Sequence, residues 1–196
     1  MAPLTHLLAS WVVAVHTTDN PRDTRLVTSA GIAPDLDGVG IFADFTAAAL
    51  GHHETDYYHT YHHWLGHGLP AALVVAALLA CFARNRWRVF ALALTVFHLH
   101  LLCDLVGSRG PSPKDLWPIY YFGPFRYRPM WVWTHQWRLD GWQNQVITIL
   151  LLIWATSLAL KKGHSFIAVF NRRFDQLFVG ILRKWQNQIV RIFTSA

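Results

Sequence analysis

Residues 89–106 read VFALALTVFHLHLLCDLV, an apolar run whose second half carries His100 and Asp104. At 1.5 Å per residue a helix of this length reaches about 27 Å, close to the ~30 Å hydrocarbon core of a bilayer. The i, i+4 spacing of His100 and Asp104 puts both side chains on one helix face. An ionisable pair at the end of so apolar a helix is costly to bury without a partner, so the stretch predicts a membrane-embedded helix that ends in a metal-ligand pair.

Four further apolar segments flank it. Residues 69–83 (LPAALVVAALLACFA) and 145–160 are strong runs. Residues 4–16 and 24–34 are weaker and are separated by the breaker TTDNPRD. The three strong runs reach about 22–27 Å, a mismatch that terminal Trp, Tyr and snorkelling Arg or Lys can cover. Together the segments predict an all-α polytopic membrane bundle of about five apolar helices, some short. It forms one embedded domain over residues 1–162, followed by an amphipathic C-terminal helix over 163–196.

The alternative is a soluble all-α protein with unusually apolar core helices. Composition argues against it: 53% of the residues are hydrophobic and 14% are charged, against roughly 25% charged in an average soluble domain. Ten Trp also suit the membrane interface. The two cysteines, Cys81 and Cys103, lie inside apolar runs and read as buried free thiols, with neither a disulfide framework nor a thiolate metal site implied. The start of the chain has no basic n-region and no prominent small-residue cleavage site, so it does not read as a removable signal peptide.

The net charge is +6, with a single Glu. If the five segments alternate, Arg22, Arg25, Arg84, Arg86, Arg88, Lys161 and Lys162 share one face with Arg172, Arg173, Arg183, Lys184 and Arg191 of the tail. The other face keeps Arg109, Lys114, Arg126, Arg128 and Arg138. The positive-inside rule makes the first face cytoplasmic and the second extracytoplasmic. In the tail, Phe170, Phe174, Leu177, Ile181, Trp185, Ile189 and Ile192 recur at three-to-four spacing with basic residues between them. That pattern predicts an interfacial helix lying on anionic lipid, or else a helix packed on a protein partner.

The same alternation gathers ligands it was not drawn to gather. His6 opens the first segment, and Asp35 and Asp37 of APDLDG follow the second. His62 and His67 precede the third, and His100 and Asp104 close the fourth. All seven fall on the face opposite the basic turns. The stretch HHETDYYHTYHHWLGHG, residues 52–68, holds six of the twelve histidines. His52, Asp56, His59, His63 and His67 follow steps of four, three, four and four, which is one stripe if the stretch is helical. Spacing leaves open which of these bind, and the aspartates of APDLDG can either ligate a cation or orient a ligating histidine. His135 is a reserve candidate on the same face. His with Asp suits zinc, manganese or ferrous iron better than magnesium or calcium. No G-x-S-x-G elbow, phosphate-cradling glycine loop, H-E-x-x-H or C-x-x-C pair is present.

The order of THLL, APDLDG, HHWLGHG, HLHLLCD, LWP and FRYRP along residues 4–130 resembles the YdjM type of bacterial inner-membrane proteins, to which a metal-dependent hydrolase activity is attributed. The family's His-Arg-Gly-x-Thr-His-Ser stands here as His62, His63, Trp64, Leu65, Gly66, His67 and Gly68, so the two outer histidines match. Gly38 follows the second aspartate, where the family usually has His. Such proteins are in turn similar to the zinc-dependent phospholipase C and single-strand nuclease superfamily, whose clustered zinc ions hydrolyse phosphoesters. His52 and Asp56 look like one of that superfamily's ligand sets. The resemblance thus implies one to three ions, zinc first and manganese or ferrous iron otherwise, held by His6, Asp35, Asp37, His52, Asp56, His62, His67, His100 and Asp104.

The expected function is a membrane-embedded, phospholipase-like hydrolase acting on a lipid or lipid-linked phosphoester by a metal-activated water. Asp37 or Asp56 would take the water proton. Arg126 and Arg128 would grip the substrate phosphate from an aromatic loop over the site. Rival readings are a non-catalytic metal-binding membrane protein, such as a sensor or assembly factor, and a nuclease anchored by its tail. An extracytoplasmic site disfavours nucleic acid.

Overall fold

In the computed structural model, residues 1–52, 55–62 and 64–194 are described. Helix α1 (Pro3–Thr17) starts on a proline, whose missing N–H costs nothing at a helix N-terminus, and closes with the Thr18 N–H on the Ala14 carbonyl. The turn of residues 18–20 brings in α2 (Pro21–Ile32), capped by Asn20, whose Oδ1 accepts the Asp23 N–H. The two helices pack closely because Gly31 carries no side chain. A Cβ there would stand 1.7 Å from Ser10 Oγ and 2.4 Å from Ser10 Cβ.

A 3-10 turn (Pro34–Val39) and α3 (Gly40–Ala49) continue from α2 at a bend of 54°. No residue of α3 is buried, and Ile41, Phe42 and Phe45 stand exposed on it. After the short α4 (Tyr57–Tyr61), helices α5 (Leu69–Cys81) and α6 (Arg86–Gly107) form a second antiparallel pair, joined through the Asn85 cap. A two-stranded hairpin, β1 (Ile119–Tyr120) with β2 (Met130–Trp131), precedes α7 (Trp142–Lys162). Gly163, at φ 76°, ends α7 in the left-handed conformation that glycine tolerates. A 3-10 turn (Phe166–Val169) then leads to α8 (Arg172–Thr194).

The core is organised around α1. One side of it, with Leu8, Trp11 and Val15, packs on Ala155, Leu158 and Ala159 of α7 and on Phe166 and Val179. Ala14 joins Val27 and Ala30 of α2 and Val89, Ala93 and Val96 of α6. A third cluster sets Ala72 of α5 against Phe97, Leu101 and Ile119. Burial of Val179 ties the first half of α8 to this cluster.

Of the about five apolar helices expected, some of them short, two or up to three are candidate membrane spans among the described residues. By length and composition α6 and α7 can cross a bilayer, and the bent pair of α2 with residues 34–49 is the third candidate. At 15 and 13 residues, α1 and α5 reach only about 22 and 20 Å. The apolar character of α1 has another cause: nine of its residues are buried inside the protein. By contrast α7 leaves Val146, Ile149, Leu150, Ile153 and Trp154 exposed, as a lipid-facing helix does. Cys81, expected buried, is exposed at the end of α5, and Cys103 is half-buried.

Antiparallel pairing sends the two ends of the bundle apart. The α1–α2 and α5–α6 turns meet at one end, where the Asp23 carboxylate accepts the backbone N–H groups of Arg84 and Asn85 and Asp19 pairs with Arg88. Arg22, Arg25, Arg84, Arg86 and Arg88 belong to that end. The start of α1, the end of α2, the approach to α5 and the end of α6 come together at the other.

Candidate metal centre

Four chain segments supply this second end. His6 comes from the first turns of α1, Asp35 and Asp37 from the 3-10 turn after α2, His62 and His67 from the loop before α5, and His100 and Asp104 from the last turns of α6. Among the described residues, three overlapping sets have ligand atoms within 4.8 Å of one another: His6, His100 and Asp104; Asp35, His67 and His100; and Asp37, His62 and His67. Every one of the seven residues that the alternating topology gathered is in one of these sets.

The hydrogen bonds sort the seven into roles. His100 donates its Nδ1–H to the Gly31 carbonyl at 2.8 Å. Its Nε2 is thereby left 3.0 Å from Asp104 Oδ2, 3.3 Å from His67 Nε2 and 3.7 Å from Asp35 Oδ1. His67 donates from Nδ1 to Asp37 Oδ2 at 3.0 Å, and its Nε2 lies 3.4 Å from Asp104 Oδ2. Two imidazole nitrogens and a carboxylate oxygen therefore face one another, each ring oriented by a bond on its far side. Either a proton on a ring nitrogen or a cation must lie between these groups, because bare lone pairs at such distances repel.

His6 stacks on His100 at 3.7 Å, with its Nε2 3.1 Å from Asp104 Oδ1. The Met1 amino group and the Ser108 hydroxyl also donate to Asp104 Oδ1. Among the described residues, His6 Nδ1 and Asp35 Oδ2 are buried side-chain atoms without a hydrogen-bond partner. An orphaned carboxylate oxygen beside facing imidazoles fits a cation site.

Asp37 is placed differently. Its Oδ1 accepts from His62 Nδ1 at 2.6 Å, and its Oδ2 accepts from the Gly66 N–H at 2.8 Å and from His67. Both oxygens hold neighbours in place, which is the orienting role a carboxylate plays behind a ligating histidine. Gly66 fits only because it is bare, since a Cβ there would lie 2.7 Å from the Pro34 carbonyl and 2.8 Å from Asp37 Oδ2. Burial opposes charge on His67, but hydrogen bonds and the negative charges of Asp104 and Asp37 outweigh it, and its pKa is pushed up to about 9.

A cavity of about 320 Å³ adjoins the cluster. Asp35, His62, Asp104 and Ser108 give it polar walls, and Val39, Phe42, Trp117 and Leu139 give it apolar ones. Tyr58 also lines it and stacks on His62 at 4.6 Å. Burial and the charges of Asp35, Asp37 and Asp104 raise the Tyr58 pKa, so its phenol stays protonated and able to donate. Ser108 was legible as the next i, i+4 step after Asp104, whereas Tyr58, Phe42 and Trp117 had no spacing signal to mark them.

Other expected residues lie elsewhere. His52 and Asp56 are exposed, Asp56 at the N-cap position of α4, and neither joins the three sets. The stripe that would have linked them to His67 does not form, because α3 stops at Ala49, Gly51 turns at φ 84° and α4 is a single short turn. His63 and the side chain of His59 lie outside the described residues. Arg126 and Arg128 are exposed in the segment that joins β1 to β2, and Arg126 lies by Pro70, Phe122 and Phe125 rather than on the cavity. The loop reaches the cavity through Trp117 and Leu139 instead. His135 is exposed beside Arg109 and Trp137, also away from the cavity.

No curated protein and no solved structure matches the chain. A family model described as YdjM inner membrane protein matches residues 1–170, a stretch that takes in all seven clustered ligands and the apolar helices, and the chain therefore belongs to that family of inner membrane proteins.

Proposed function

We propose that this chain is a metal-dependent hydrolase of the inner membrane that cleaves a phosphoester in a lipid or lipid-linked substrate. The observation that carries the proposal is the facing of His67 Nε2, His100 Nε2 and Asp104 Oδ2, with the orphaned Asp35 Oδ2 beside them. His67, His100, Asp104, Asp35 and His6 would hold the ion, zinc being the best match to this nitrogen-and-oxygen set. An ion there supplies a water of lowered pKa and polarisation of a phosphoryl oxygen.

The chain's own groups do the rest. Asp37 orients His67 and His62 through their Nδ1–H groups. His62, braced by Asp37 on the cavity wall, is placed to receive a proton. Tyr58 offers its hydroxyl group to a phosphate, and Ser108 holds Asp104 through its own. Val39, Phe42 and Leu139 suit an acyl or prenyl chain, and Phe42 belongs to the unburied apolar α3, which would open the cavity toward lipid.

With the basic turns and α8 on the cytoplasmic side, the cluster faces outward and the exposed apolar stripe of α8 rests on anionic lipid. The deciding experiment is elemental analysis of detergent-purified protein, followed by turnover of a phospholipid in mixed micelles. Stoichiometric metal with hydrolysis that disappears in His100→Ala is expected. Metal at background level would end the proposal, and metal without turnover of any phosphoester would reduce it to a binding site.

A further inference from the structure

The opposite end of the bundle holds a second pocket, of about 260 Å³, between the start of α2, the turn after α7 and the first turn of α8. Arg25 of α2 and Arg172 of α8 both line it, although 147 positions separate them in the chain. Arg25 is close enough to Arg22 and Arg172 to feel their like charges. Arg183 stands beside Gly163 on the rim, 3.2 Å from where a Cβ on that glycine would be.

Among the described residues no carboxylate pairs with Arg25 or Arg172. The nearby acids are otherwise engaged. Asp19 holds Arg88, and Asp23 accepts the Arg84 and Asn85 N–H groups. Asp175, the acid on the pocket wall, accepts from the Ser165 N–H at 2.7 Å and the Ser165 hydroxyl at 2.6 Å, both at Oδ1, so that with Arg25 and Arg172 the charged side chains lining the pocket keep a positive excess. His164 is set edge-on against Trp11, and burial lowers its pKa, so the ring is neutral near pH 7.

Like-charged guanidinium groups brought together from distant elements repel unless an anion lies between them. Planar guanidinium donors match phosphate oxygens better than any other side chain does. The geometry points to a phosphate-binding pocket formed by Arg25 and Arg172, with Arg183 at its rim. The phosphate comes from an anionic lipid headgroup or from free inorganic phosphate. The lipid source gains from position: Phe170 and Phe174 stand exposed next to Arg172 and begin the apolar stripe of α8, along which acyl chains would lie. This site is independent of the metal cluster, which occupies the other end of the helices.

Native mass spectrometry of the full chain in detergent tests it, with added dioleoyl phosphatidic acid against dioleoyl phosphatidylcholine. A parallel arm measures inorganic phosphate by calorimetry and as a competitor of the lipid. Wild-type protein should retain phosphatidic acid in preference to phosphatidylcholine. The Arg25→Gln/Arg172→Gln variant should lose about tenfold or more of that affinity, while Arg84→Gln/Arg86→Gln, with the same charge change at the same end, should lose little.

Binding of inorganic phosphate that also depends on Arg25 and Arg172 assigns the pocket to the free ion. Binding of the lipid alone assigns it to a headgroup. Equal losses in the two double variants, or no preference for the anionic lipid in the wild-type protein, overturn the proposal. Arg172→Gln alone, an exposed change, keeps the test valid if the double variant does not fold.

Discussion

Asp23 and Asp104 are both buried aspartates near helix ends, one at each end of the same bundle, and they do opposite things. The oxygens of Asp23 accept the Arg84 and Asn85 N–H groups and so staple the α1–α2 turn to the α5–α6 turn. Asp104 turns Oδ2 toward the ring nitrogens of His67 and His100, next to Asp35 with an oxygen that nothing satisfies. Burial alone therefore does not identify a functional carboxylate. A carboxylate saturated by backbone donors is a joint, and one facing ring nitrogens beside an orphaned neighbour is a candidate ligand.

Exchanging the two residues in experiment should separate stability from metal content, and this is the largest effect expected. Asp104→Ala should bring bound metal to background, and Asp23→Ala should keep it. Asp23→Ala should instead cost about 1–3 kcal/mol of stability by leaving two backbone N–H groups unpaired, read as a fall in the thermal midpoint in detergent. Metal retained in Asp104→Ala would erase the distinction.

Asp37→Asn probes a carboxylate of intermediate kind, which holds ligands without facing the cation position. It should weaken metal binding about 10–100-fold while the protein remains folded, as losses behind a ligating histidine do. Complete loss of the ion would promote Asp37 to a ligand.

The site end should also respond to pH in a way the basic end does not. His67 titrates at about 9 without the ion, and its Nε2 proton must leave before the ion binds. Apparent affinity should therefore rise about tenfold per pH unit up to about pH 9 and level off above it. A flat profile between pH 6 and 9 would show that His67 is not displaced.

Two smaller effects complete the series. Gly31→Ala pushes a methyl group into Ser10 and should destabilise the α1–α2 contact by about 1–3 kcal/mol, with recovery in a Ser10→Gly background. Arg126→Gln/Arg128→Gln should change metal content and turnover less than about twofold, because neither residue lines the cavity. A large loss in turnover would restore them to the substrate.

Much of the site was legible before any coordinates. His100 and Asp104 share a helix face by periodicity alone, and alternation of apolar segments brings His6, Asp35, Asp37, His62 and His67 to the same end. That inference does not require every apolar segment to span. Antiparallel hairpins alternate their ends whether each helix crosses a bilayer or is buried beside one that does. The stripe of the His-rich stretch does not form because α4 covers only Tyr57–Tyr61 and the backbone is extended at His62, so counting a helical period across the stretch assumes a continuity the backbone does not keep. Arg126 and Arg128 lie in the segment that joins β1 to β2, and neither lines the cavity, a placement that no spacing in the sequence encodes.

Composition and hydropathy determined that this chain is helical and made for lipid, and the spacing of a few histidines and aspartates determined that they meet. Those are properties of short windows, governed by 1.5 Å per residue and 3.6 residues per turn. Only the tertiary structure decided that α1 is a core helix while α7 turns an apolar face outward, because burial depends on neighbours and not on a helix's own residues. Only it separated Asp37, whose two oxygens hold His62, Gly66 and His67, from Asp35 and Asp104, which face ring nitrogens, since that division depends on which nitrogen of each imidazole is already donating. It alone brought Arg25 against Arg172, a pairing that no local pattern encodes.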